Sequence, residues 1–124
     1  MDDSKLLELA SLASGDVYSK EHNPLERDDL ALRLAVRLHI DIEIYNACVE
    51  AVWIDEAPSE PHTVVEYCDE EFEGVAAKEA ATRRAIVRAA AEIGKGVVAQ
   101  LSGKDRPEDD YYKTQSEAFY GDKP

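Results

Sequence analysis

Cysteine is scarce in this chain of 124 residues, which holds only Cys48 and Cys68. Two thiols cannot form a disulfide framework. Without a close Cys-x-x-Cys pair, Cys48, His62 and Cys68 also lack zinc-site spacing. Both cysteines are expected to be small buried residues. Long apolar runs are missing too, so no segment approaches the ~20 residues of a membrane-spanning helix. The start, Met1-Asp2-Asp3-Ser4, is acidic where a secretory leader would be basic. These features predict a reducing, cytoplasmic setting and no membrane partner. Basic residues are a minority, with 14 Lys and Arg against 27 Asp and Glu and a formal net charge of -13. That balance argues against direct binding to nucleic acid, whose phosphates require a basic surface. It favours solubility and attraction to basic partners. Catalytic motifs are absent as well: there is no Gly-x-Ser-x-Gly, no His-Glu-x-x-His and no dinucleotide fingerprint. Gly94-Lys95-Gly96 follows a helical pattern and lacks the Gly-Lys-Ser/Thr end of a phosphate loop. No catalytic residue and no cofactor is expected, and the protein reads as non-enzymatic.

Apolar residues make up 44% of the chain, enough for one domain with a real core. The segment from Ala81 to Gly94 has the strongest helical character. At 100° per residue, Val75, Thr82, Ile86, Ala89, Ala90, Ile93 and Val97 share one side, and Arg84, Arg88, Glu92 and Lys95 the other. Gly94 and Gly96 are expected to weaken its end. A first helix is predicted from about Ser4 to Ser14, with Asp2 and Asp3 at its positive end and Gly15 as its left-handed exit. A second is predicted to start at Asn23-Pro24-Leu25-Glu26, with Asp28 or Asp29 as alternative caps, and to run to about Leu38. Its apolar arc covers most of the circumference, so it is placed against the sheet, largely buried.

Near Ile40 the period changes from 3.6 to 2. Ile40, Ile42 and Ile44 alternate with Asp41, Glu43 and Tyr45, which is a half-buried strand. A turn at Asn46-Ala47 pairs Ile44 with Val49, Ile42 with Ala51 and Ile40 with Trp53, so that all six share a face. The same register sets Glu43 across from Glu50, which costs stability unless a base covers the pair or both are solvated. His62 to Cys68 reads as a third strand. The predicted fold is α/β in the broad (α+β) sense: a three-stranded antiparallel β-meander with helices on both faces, an α-β-α sandwich, over residues 1–103. Residues 104–124 form an acidic tail with four aromatics.

Charge is unevenly placed. Residues 1–76 carry 19 acidic and 5 basic side chains, residues 77–104 carry 2 and 6, and residues 105–124 carry 6 and 3. The late helix is thus a basic element inside an acidic protein, expected to neutralise its neighbours.

Two blocks, Asn23-Pro24-Leu25 continuing through Ala31 to Leu38, and Ala81 to Gly94, resemble a family of small bacteriophage proteins described as the phage ABA-sandwich domain. The resemblance covers about residues 4–96, and its second block is the more specific. The family pattern tends to have Trp before the Asn-Pro step, where this chain has His22. The resemblance implies helices on both faces of a small sheet and a viral, intracellular protein. It supplies no catalytic residues.

The expected function is a bacteriophage accessory protein that binds and modulates a host protein, one that handles nucleic acid or serves antiviral defence, in the host cytoplasm. Spaced carboxylates can imitate phosphates, and the expected partner-binding residues are Asp41, Glu43 and Glu50 on the sheet and Asp109, Asp110, Tyr111 and Tyr112 in the tail. Two alternatives stand beside it. Arg33, Arg37, Arg84 and Arg88 offer phosphate contacts for a nucleotide signal. His39, Asp41 and Glu43, with Glu50 and Glu66 opposite, are the set a metal-dependent enzyme would use, although no metal is expected. A homo-oligomer is left open.

Overall fold

The computed structural model describes residues 2–54, 61–69 and 73–102, with side chains to residue 100. The expected acidic tail lies outside these residues. Helix α1 spans Asp3–Ser14. Asp2 caps it by accepting a 2.9 Å bond from the Lys5 N–H, and Gly15 leaves it at φ 86°. Helix α2 spans Asp28–Leu38 and starts later than Asn23. The Asn23 carboxamide instead accepts the Leu25 N–H at 2.8 Å, and its carbonyl accepts those of Glu26 and Arg27. That local turn uses up the residues of the apparent cap. His39 ends α2 in the left-handed region, φ 58°, and so turns the chain before the first strand.

Strands β1 (Asp41–Ile44), β2 (Cys48–Ile54) and β3 (Pro61–Tyr67) form an antiparallel sheet in the order β1-β2-β3. The register is the expected one: Ile44 opposite Val49, Ile42 opposite Ala51 and Glu43 opposite Glu50. Parity explains it, because a slip of one residue would turn Val49, Ala51 and Trp53, all buried, out of the core. Ile40 is buried but precedes the strand.

Helix α3 spans Val75–Ser102, running through both Gly94 and Gly96. It lies at the centre of the molecule. Its contacts reach all three strands on one side and α1 and α2 on the other. Buried residues occur nearly all round it: Ala81, Ala85, Ile86, Val87, Ala89, Ala90 and Ala91. The alanine that makes this helix strong in propensity also leaves it thin enough to be enclosed. The Leu6, Leu9 and Ala10 side of α1 packs onto it. So close is α1 that a Cβ on Gly94 would fall on the Leu9 carbonyl oxygen.

The expected class and meander are present, but the layers are not arranged as an α-β-α sandwich. Among the described residues, α3 covers one sheet face, α1 and α2 pack on α3, and no helix covers the second face. The position of α2 follows. Leu30, Ala31, Leu34 and Ala35 are buried, whereas Leu32 and Val36 are 64% and 66% exposed. Among the described residues, only one side of its wide apolar arc finds a partner. Val75, on the same predicted side of the helix as Ile86 and Ala89, is exposed at the start of α3.

Candidate functional site

Strand alternation sets Asp41, Glu43, Glu50 and Val52 on the open face of the sheet, continued by Ile54, Val65 and Tyr67. Asp41 and Glu43 are exposed and Glu50 is half-buried. None of the ion pairs among the described residues includes any of the three. The β1–β2 turn is closed by the Tyr45 N–H donating to the Cys48 carbonyl at 2.8 Å. Lys78 reinforces it from α3, its ammonium donating to the carbonyls of Tyr45 and Asn46. Beyond the carboxylates the face becomes apolar, with Ile54 64% and Tyr67 80% exposed. This combination can accept charge-assisted hydrogen bonds from Lys or Arg beside a strip that excludes water from them.

The Tyr45 hydroxyl donates to Glu43 Oε1 at 2.5 Å. That bond to the neighbouring carboxylate raises the Tyr45 phenol from 10.0 to about 12. The neutral phenol is the donor, so the folded chain favours the protonated form. Its contribution to stability is complete below the unfolded value of 10.0 and is lost as pH rises through about 12. In an ultraviolet tyrosinate titration, the tyrosine missing from Tyr45→Phe is expected to be one that ionises near the upper value. Glu43→Gln should bring that ionisation back down. An unmoved titration in Glu43→Gln would show that the bond does not hold the proton.

The remaining candidates do not gather into one place. Arg37 pairs with Asp16 at 3.0 Å, Arg84 with Asp3 at 2.8 Å, and Arg88 with Glu66 at 2.6 Å. Arg88 also donates to the Val65 carbonyl at 2.9 Å, and Arg33 sits exposed on α2. The basic helix does neutralise its neighbours, reaching Asp28 as well through Arg83 at 2.7 Å. His39 caps α2 and lies outside β1. Glu66 pairs with Val49 and so lies on the covered face, away from Asp41 and Glu43. Among the described residues no three His, Cys, Asp or Glu side chains form a group that could hold a metal ion. Cys68 is buried and Cys48 half-buried. Asp109, Asp110, Tyr111 and Tyr112 lie outside the described residues.

Sequence reasoning missed a groove of about 400 Å³ between α2, β1 and α3, lined by Leu32, Ile42, Ile44 and Ile86 among others. The available signal is the excess apolar arc of α2, which periodicity alone assigns to burial.

Among the described residues no helix is long and apolar enough to cross a membrane. Compared with protein-family models, curated proteins and solved structures, the chain matches none.

Proposed function

We propose that this chain is a non-enzymatic binding module whose open acidic sheet face docks on a basic surface of another protein. One observation carries the reading: Asp41, Glu43 and Glu50 stand together on a face that no described helix covers and no described base neutralises. The contrast within the molecule supports it. Arg83, Arg84 and Arg88 each pair with a carboxylate, so charge is balanced around α3 and left unbalanced on the open face. Like charges held opposite each other cost stability, and a basic partner would remove that cost. The resemblance to phage proteins extends the proposal to an accessory protein that acts in the host cytoplasm on a nucleic-acid-handling or defence component.

The test is capture from bacterial lysate at moderate salt. The parent chain is compared with Asp41→Lys/Glu43→Lys/Glu50→Lys and with a chain ending at Ser102. The expected result is a basic partner held by the parent and the shortened chain and lost on charge reversal. All three substituted side chains project from the sheet away from α3, so the fold should survive, which circular dichroism would check. A partner retained after reversal would refute the sheet-face reading, and one lost on shortening would move the site to the tail.

A further inference from the structure

Strand β1 is an edge of the sheet. Because the Tyr45 N–H bonds to the Cys48 carbonyl, antiparallel alternation aims the backbone groups of Asp41 and Glu43 at β2. The N–H and C=O groups of Ile42 and Ile44 then face away from the sheet. No hydrogen bond from another described element reaches them. Exposed edges of this kind are templates for pairing with another chain. Beside this edge runs the apolar groove, walled by Ile42 and Ile44, by Ala31, Leu32 and Ala35 of α2, and by Ile86 of α3. Leu32 is 64% and Ile44 59% exposed.

We propose that this edge accepts an extended segment of a partner protein as a fourth strand, and that the segment alternates apolar and basic residues. The inference rests on the reading of the acidic face as a protein-binding surface and names the chemistry of its partner. A strand added here bonds to the Ile42 and Ile44 backbone, and its side chains alternate between the two faces. Those on the covered side enter the groove and must be apolar. Those on the open side lie next to Asp41 and Glu43, where charge complementarity selects Lys or Arg. A second copy of β1 does not meet this requirement. Antiparallel self-pairing with faces aligned sets Glu43 against Glu43, or Asp41 against Glu43, in like-charge pairs. Residues 105–124 of the chain, with 6 acidic and 3 basic side chains, have no alternating basic and apolar run.

The test uses the full chain, isotope-labelled, and a short synthetic peptide alternating lysine and valine. Two controls are a peptide of the same composition with its lysines grouped, and the alternating peptide N-methylated on its strand-facing amides. The alternating peptide should bind roughly tenfold more tightly than either control, a difference of about 1.4 kcal/mol. The largest amide shifts should fall on Ile42 and Ile44, and Glu43→Lys should weaken binding by a similar factor. Equal binding of the three peptides would overturn strand addition. So would shifts at Val52, Ile54 and Val65 with the edge amides unmoved, although that result would leave the acidic face standing as the binding surface. Edge shifts whose affinity ignores Glu43→Lys would overturn the charge selection.

Discussion

Gly94→Ala is expected to destabilise the protein by about 2 kcal/mol, the middle of the range for forcing extra volume into a packed interface. The sign is informative, because in an open helix the same change stabilises by up to about 1 kcal/mol. The obstacle at Gly94 is the backbone of α1: the new Cβ meets the Leu9 carbonyl oxygen and lies 2.7 Å from its carbon. No rotamer change relieves a backbone clash. Helix α1 would have to withdraw, loosening Leu6, Leu9 and Ala10 together. At Gly96, two residues on in the same helix, an added Cβ would have nothing within 4 Å. Gly96→Ala should therefore stabilise where Gly94→Ala destabilises. Urea unfolding of the two variants beside the parent reads both signs, and equal shifts would contradict the close approach of α1 to α3.

Leu34→Ala should cost about 3 kcal/mol, as buried leucine truncations do when the site cannot collapse. Leu34 is 1% exposed on the side of α2 that faces the core. Leu32, two residues earlier and 64% exposed, should change stability by less than about 0.5 kcal/mol when truncated. The pair tests where α2 sits. A helix enclosed on all sides would make both substitutions expensive, whereas one packed on α3 by a single side makes only the first so. Thermal and urea unfolding give the comparison directly.

The meander was legible because two constraints agree. Ile40, Ile42 and Ile44 fix a face, and only one parity of β2 brings Val49, Ala51 and Trp53 onto it. The opposition of Glu43 and Glu50 follows from the same parity, so the centre of the candidate site was readable from the residues alone. The order of layers was not. Periodicity shows which residues want burial, but it does not say which element supplies the cover. The arc of α2 is wider than its described neighbours, α3 and α1, can use. On α3, the charged side is solvent-facing at Glu92 and Lys95 but half-buried at Arg84 and Arg88. Lys78 is buried and donates hydrogen bonds to the carbonyls of Tyr45 and Asn46. Arg88 reaches the Val65 carbonyl while pairing with Glu66. Long side chains can cover apolar surface and end on backbone acceptors, and a charge count cannot distinguish that from solvation. Gly94 misleads in the same way. It reads as a weak helix end, when its value lies in what approaches it.

The most direct test of the open sheet face is thiol alkylation of the folded protein. Cys48 pairs with Tyr67 and so shares the face of Glu50 and Val52, while Cys68, one residue beyond β3, is buried among the core residues. If the face is open, Cys48 should be alkylated at least roughly tenfold faster than Cys68, because a reagent must reach a thiol to modify it. Peptide mapping would assign the label. Protection of both thiols until the chain unfolds would mean that the face is covered, and the acidic surface could not then be where a partner docks.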